Sequence, residues 1–146
     1  MTTESQLREK LRKIEALFAG AGTPGERDAA EAALARIRAK LKAMERKDKP
    51  IEMQFSMPDQ WSRQLFTALA RRYGLEPYRY RRQRRTTVML LVPKAFVDQI
   101  LWPEFAELDS VLRHYLYEVT LRLIRDGVHA DTSEAAEVEG GALTAR

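Results

Sequence analysis

Two stretches near the N-terminus carry apolar residues at helical spacing. Residues 6–18 and residues 24–46 place hydrophobic side chains three or four positions apart, which is typical of amphipathic helices. These side chains are Leu7, Leu11, Ile14, Leu17 and Phe18 in the first stretch, and Ala30, Ala33, Leu34, Ile37, Leu41 and Met44 in the second. Thr23, followed three positions later by Glu26, is a capping-box pattern for the start of the second helix. The pattern predicts an antiparallel helical hairpin over residues 1–49.

Alternation of apolar and polar residues then replaces helical spacing. Over residues 51–56 every second side chain is apolar, which predicts a half-buried strand. Residues 58–73 return to helical spacing and end before Gly74, a residue suited to a helix C-terminus. Because Trp61 starts the apolar face of this helix, we expect its side chain to be buried.

The next segment predicts a β-hairpin. Residues 78–82 form one arm, Gln83 and its neighbours form the turn, and residues 86–92 form the second arm. The second arm is nearly all apolar from Thr87 onward. We therefore expect it to be a central strand that is covered on both faces. Tyr78 and Tyr80 share one face of the first arm and are expected in the core.

The C-terminal part predicts two more helical segments and a tail. Residues 94–101 are helical, and Pro103 predicts a break or kink after Trp102, because proline lacks the backbone N–H and clashes with the preceding turn. A long amphipathic helix then ends near Gly127. Residues 131–146 are mostly small or acidic, which predicts a disordered acidic tail.

Together these elements define the predicted fold class and organisation. The order is an N-terminal helical hairpin followed by a β-α-β-β-α-α unit with a small, partly antiparallel sheet, which is an α+β fold. The predicted boundaries are 1–49 for the hairpin, 50–130 for the α+β core and 131–146 for the tail. A chain of 146 residues is long enough to bury one such core.

Composition narrows the class of protein. The chain has no cysteine, which excludes disulfides, thiolate metal sites and cysteine nucleophiles, and no apolar run long enough to cross a membrane. The N-terminus lacks the apolar stretch of a signal peptide. We therefore expect a cytoplasmic protein with no membrane partner.

The net charge of +4 is unevenly distributed along the chain. Residues 71–85 hold seven arginines against one acid, Glu76, and they are Arg71, Arg72, Arg79, Arg81, Arg82, Arg84 and Arg85. A two-stranded ribbon fits the major groove of DNA, and guanidinium groups suit phosphates and guanine edges. The alternatives are a solvated basic edge that discourages aggregation, or a docking surface for an acidic protein partner.

Other motifs carry weaker signals. Gly20, Gly22 and Gly25 match the dinucleotide pattern G-x-G-x-x-G, but a predicted helix precedes them where that chemistry needs a strand. We interpret the motif as an interhelical turn and infer no cofactor. His114 and Glu118 are four positions apart and could bind a metal or pair a base with a carboxylate. We interpret this pair as structural and infer no metal.

A third group of acidic residues comes after Pro103. Glu104, Glu107 and Asp109 could share a proton or hold magnesium. Acids in the first turns of a helix are expected from the helix dipole alone, so we favour a structural role. A small hydrolase built on these acids is the third functional hypothesis.

The N-terminal region resembles a bacterial and phage family, domain of unknown function 2786. Residues 11–19 and 26–35 resemble the family's two N-terminal helices, and the regions around Trp61 and residues 87–92 are similar to the segments that come after the hairpin in that family. Residues 22–25 depart from the usual polar turn. The family has no established activity, and its occurrence in phages favours a nucleic-acid role.

The sequence thus predicts a non-enzymatic accessory or regulatory protein that binds nucleic acid through its arginine-rich segment. The alternative is a protein-interaction module in which the N-terminal hairpin docks a partner helix or a second copy of the chain. Salt dependence separates the two, because phosphate binding weakens steeply with salt and apolar docking does not.

Overall fold

The computed structural model describes residues 24–140, and the protein is an α+β protein. Within these residues the chain forms two separate helices, a two-stranded antiparallel sheet and a third, longer helical run. In chain order the elements are α1 (Pro24–Lys47), β1 (Ile51–Ser56), α2 (Gln60–Arg72), β2 (Thr87–Val92), α3 (Lys94–Phe96), a π-helical segment (Val97–Leu101) and α4 (Trp102–Gly127). The first helix of the predicted N-terminal hairpin lies outside the described residues.

Helix α1 confirms the second predicted helix to within one residue of its end, and it packs on the rest of the fold. Leu41 is buried in the hydrophobic core, and Ile37 and Leu34 pack against that core one and two turns earlier, respectively. The Arg38 guanidinium donates bonds of 3.0 and 2.7 Å to the carbonyl oxygen of Arg72, at the end of α2. These contacts join α1 to the α+β core.

The sheet has an inner face and an outer face. Strand β1 confirms the half-buried strand that alternation predicts over residues 51–56, and it pairs antiparallel with β2, with Gln54 opposite Met89. The inner face carries Ile51, Met53, Phe55, Val88, Leu90 and Val92, and the outer face carries Glu52, Gln54, Ser56, Thr87, Met89 and Leu91. Strand β2 is buried along its length apart from Leu91, which is exposed on the outer face. The expectation of a central strand covered on both faces therefore holds only in part, because in the described chain β2 pairs with β1 and otherwise makes a single bridge, to Tyr78.

The predicted strand at residues 78–82 is wrong. Only Tyr78 bridges β2, through two backbone bonds of 3.0 and 2.8 Å with Met89. Further pairing would use the N–H of Tyr80 and the carbonyl of Thr87. Instead, that N–H donates to the Gln83 side chain at 2.9 Å, and that carbonyl accepts from the Arg79 side chain at 2.8 Å. Side chains therefore occupy the backbone groups through which a strand at residues 78–82 would pair with β2.

The core lies between the inner face of the sheet and the helices. Phe66 of α2 is fully buried, and its ring centroid lies 4.7 Å from that of Phe55 and 5.2 Å from that of Phe105. The expectation that Trp61 is buried was wrong, because its side chain is 52% exposed. Five positions along a helix rotate a side chain by about 140°, so Trp61 faces solvent while Phe66 faces the core.

Helix α2 has a well-formed cap at each end. The Asp59 carboxylate accepts the N–H of Trp61 at 2.9 Å and caps the N-terminus of the helix. The helix therefore starts at Gln60, two residues after the predicted start at Pro58. Gly74 ends the helix as predicted, with a φ of +88° that favours glycine. Its N–H and that of Leu75 donate back to the last turn at 3.0 Å each, in a Schellman arrangement.

Of the predicted break or kink after Trp102, the break is wrong, because the helical run continues from Lys94 to Gly127. Its irregularity lies before the proline, where Val97–Leu101 form a π-helical segment and the Trp102 N–H bonds the Val97 carbonyl. Pro103 needs no N–H acceptor, so a widened turn before it accommodates the proline inside a continuous helix. Residues 131–140 form no helix or strand, and disorder of the tail remains a prediction.

No helix in the described part of the chain has both the length and the apolar content that crossing a membrane requires.

Candidate nucleic-acid interface

The arginine-rich segment folds as a loop over the outer face of the sheet. We call residues 78–86 the arginine loop. Tyr78 joins it to β2, and the hydroxyls of Tyr78 and Tyr80 both donate to the same carboxylate oxygen of Glu52 on β1. The two tyrosine rings pack edge to face at 5.6 Å, and Met89 is buried on the face that the loop crosses. The tyrosines therefore lie on the outer face and not, as expected, in the core.

Arg79 ties the two ends of the arginine loop together. Its Nε donates to the carbonyl of Thr87 and its Nη2 donates to the carbonyl of Arg85, each at 2.8 Å. A guanidinium group can hold two carbonyls at once because its donors form a rigid fork. Arg79 was predicted to contact nucleic acid, but its geometry makes it a part of the loop's own structure.

The tip of the arginine loop is held by short-range bonds. The N–H of Gln83 donates to the carbonyl of Tyr80 at 3.0 Å, while the Gln83 side chain accepts the N–H of Tyr80 in return. The N–H of Thr87 donates to the Arg84 carbonyl at 3.0 Å, which closes a second turn. The Gln83 amide nitrogen also lies 3.4 Å from the Met89 sulfur, so the tip is anchored to the sheet.

The remaining arginines of the loop project from this fixed backbone. Arg81, Arg82, Arg84 and Arg85 are exposed, and within residues 24–140 their side chains form no hydrogen bond or ion pair. Arg82 and Arg84 line an open groove of about 390 Å³ together with outward-facing residues of β1. This arginine groove is completed by Gln54, Ser56, Gln83, Thr86 and Thr87. Every side chain that lines it is polar, uncharged or cationic, and able to donate a hydrogen bond.

The structure does not bring all seven predicted arginines into one site. Arg71 lines a separate depression of about 180 Å³ with Tyr78, Arg79 and neighbouring residues. The carbonyl of Arg72 accepts the bonds from Arg38, and its side chain is exposed at the end of α2. Only Arg82 and Arg84 share the arginine groove, so the seven arginines are spread around the loop and do not form a single site.

Glu52 is the one carboxylate that binds the arginine loop within residues 24–140, and its hydrogen bonds set its charge state. The hydroxyls of Tyr78 and Tyr80 stabilise the ionised form and lower the pKa of Glu52 below its ordinary value. In turn, bonding to Glu52 raises the pKa of both tyrosines above the ordinary value. At neutral pH the loop is therefore fastened by two neutral phenols on one carboxylate.

Sequence reasoning missed the residues on β1 that complete the site. Glu52, Gln54 and Ser56 are the outward positions of an alternating strand, and alternation alone assigns them to solvent. The signal that could have indicated the contact is that Glu52 is the single acid on that face of β1, and that Tyr78 and Tyr80 are two positions apart and so share a face. Because Glu52 and Tyr78 are 26 positions apart, local sequence patterns do not show this contact.

The other candidate chemical groups have structural contacts. Asp109 accepts hydrogen bonds from Ser62 at 2.5 Å and from Arg113 at 2.9 Å, which links α2 to α4. His114 lies 3.8 Å from Glu118 on the same helix face, as its spacing predicts. In the part of the chain that the structure describes, no three His, Asp or Glu side chains come together as a metal site would require.

Comparisons with protein-family models, with curated proteins and with solved structures each gave no match. The resemblance to domain of unknown function 2786 therefore remains an expectation, and residues 11–19, which carry part of it, lie outside the described part of the chain. The geometry of the arginine loop is the remaining basis for a functional proposal.

Proposed function

We propose that the protein binds nucleic acid through the arginine loop, mainly by phosphate contact, as a non-enzymatic accessory or regulatory protein. The observation that carries the proposal is the contrast within the loop. Its backbone is fastened by Arg79, Gln83 and the tyrosine pair, while Arg81, Arg82, Arg84 and Arg85 project from it without partners in the described chain.

A fixed loop suits phosphate binding for an energetic reason. Ordering a flexible segment on binding costs conformational entropy, and a loop that is already held in place avoids most of that cost. Each exposed guanidinium then loses only its own side-chain freedom when it meets a phosphate. Contacts to phosphates position a protein on nucleic acid but carry no sequence information. The expected binding is therefore largely independent of sequence.

The arginines have different roles in this proposal. Arg82 and Arg84 make the central contacts, because they share the groove with hydroxyl and amide groups that can also donate to phosphate oxygens. Arg81 and Arg85 extend the contact from the loop, and Arg71 and Arg72 flank it. Arg79 is a positioning residue that holds the loop in shape.

The test is the salt dependence of binding. Each phosphate that is neutralised on duplex DNA adds about −0.9 to the slope of log K against log salt concentration, so three or four contacts give a slope of about −3. Replacing Arg82 and Arg84 together with alanine should make the slope shallower by about 1.8. Fluorescence anisotropy with labelled mixed-sequence DNA and RNA, between about 50 and 200 mM salt, measures it.

A matched control removes the same charge elsewhere. Arg122→Ala with Arg125→Ala changes two exposed arginines near the end of α4 and should leave the slope almost unchanged. Absence of binding at the lowest salt, or equal slopes for the two double variants, would exclude the arginine loop as the site. The protein-interaction alternative would then be the first hypothesis to test.

A further inference from the structure

Strand β1 has an open edge. Met89 exchanges both of its backbone bonds with Tyr78, so on β2 the residues that bond β1 are the alternate ones, Val88, Leu90 and Val92. The other side of β1 therefore presents the N–H and carbonyl groups of alternate residues to its surroundings. These residues are Glu52, Gln54 and Ser56, all exposed. Among the described residues, β1 pairs with β2 alone.

Within residues 24–140, this edge lacks most of the features that protect edge strands. Proteins guard such edges with proline, lysine, bulges or a covering element. Strand β1 contains no proline and no lysine, and its one charge, Glu52, is bound by the two tyrosines. Apolar surface lies beside the edge, because Ile51 is 47% exposed and Trp102 is 44% exposed where it stacks on Phe55 at 6.1 Å.

We infer that the open edge of β1 pairs with the same edge of a second copy of this chain. The occupant is indicated by the sequence of the strand, whose polar and apolar positions are symmetric about Gln54. In a two-fold antiparallel register, Gln54 faces Gln54 of the second copy, Glu52 faces Ser56, and Met53 faces Phe55. Polar residues face polar residues, apolar residues face apolar residues, and no like charges are opposed.

The assembly would form a continuous four-stranded sheet. A two-fold axis perpendicular to that sheet keeps both outer faces on the same side. Neighbouring strands lie about 4.8 Å apart, so the arginine grooves of the two copies, each of which includes Gln54 and Ser56, meet at the axis. The joined groove would carry Arg82 and Arg84 from both copies. That the joined groove binds nucleic acid rests on the proposed function, whereas the inference that two copies assemble is independent of it.

The experiment measures mass by sedimentation equilibrium without nucleic acid. The wild-type chain of 16.8 kDa should sediment with twice that mass at about 100 µM, and the mass should fall on dilution. Gln54→Pro removes the central N–H of the edge, and the monomer should tolerate it because that N–H points away from β2. The variant should sediment as a monomer, while Gln54→Thr, which keeps the N–H, should remain a dimer.

Circular dichroism shows whether the proline variant folds. If it does not fold, two variants with opposite charges at position 54 test the same inference. Gln54→Lys and Gln54→Glu each place like charges opposite one another at the axis and should weaken the dimer alone. An equal mixture of the two should restore it. A monomeric wild type, a folded Gln54→Pro variant that remains dimeric, or an unrestored mixture would overturn the inference. None of these results depends on whether the arginine loop binds nucleic acid.

Discussion

The two faces of the same small sheet are held by different forces. On the inner face, Phe55 and Leu90 pack against helices, and the stabilising contribution is the removal of apolar surface from water. On the outer face, the arginine loop is held by hydrogen bonds from Arg79 and the tyrosine pair, most of them at the surface. The inner face supports the fold, and the outer face presents charges at fixed positions.

The difference has a consequence for mutations. Apolar packing is non-directional, so a core change is felt through the volume it leaves empty. The bonds of the outer face are directional and specific to single side chains. Changes there should alter the shape of the loop while leaving the core folded, and substitutions on the two faces should separate the two kinds of effect.

The largest effect is expected for Phe66→Ala. Phe66 is fully buried and contacts the rings of Phe55 and Phe105, so truncation should cost about 3–5 kcal/mol of unfolding free energy. Trp61→Ala, on the same helix, removes a larger ring that is half exposed and should cost less than half as much. Chemical denaturation of both variants gives the two values. Similar losses for the two would contradict the assignment of inner and outer sides of α2.

Sequence patterns revealed the inner face better than the outer one. The alternation of residues 51–56 and the apolar run of β2 predicted both strands, because burial leaves a periodic record along the chain. Trp61 was misassigned because its spacing of five positions from Phe66 turns its side chain about 140° away from the core-facing side of the helix. The arginine loop was predicted as a hairpin arm, because bonds such as that from Arg79 to Thr87 leave no periodic signal.

A moderate effect is expected for Arg79→Ala. The change removes two hydrogen bonds from a charged donor to the carbonyls of Thr87 and Arg85, and at this exposed position it should cost about 1–2 kcal/mol. Arg79→Lys should lose nearly as much, because an ammonium group cannot span both carbonyls as the guanidinium fork does. Urea denaturation measures the losses, and amide exchange of the loop shows where order is lost.

Arg81→Ala is the matched control for that comparison. Arg81 is two positions away and exposed, and its side chain has no hydrogen bond in the described chain, so its removal should change stability by less than about 0.5 kcal/mol. If Arg81→Ala destabilises as much as Arg79→Ala, then total charge and not the fork of bonds stabilises the loop. If Arg79→Lys is fully stable, the positive charge alone is sufficient.

The smallest effect is expected from protonation of Glu52, whose hydrogen bonds lie on the outer face. The pKa of Glu52 is lowered by its bonds to Tyr78 and Tyr80, so its contribution to loop order is present above the ordinary glutamate pKa of about 4.3. As the pH falls through the lowered value, the carboxylate is protonated and that contribution is lost. The Glu52 carboxyl ¹³C shift should therefore titrate at lower pH in the wild type than in Tyr78→Phe/Tyr80→Phe. Equal titration midpoints would mean that the phenols do not hold this carboxylate in solution, and that the loop is fastened by Arg79, Gln83 and the backbone bonds of Tyr78 without them.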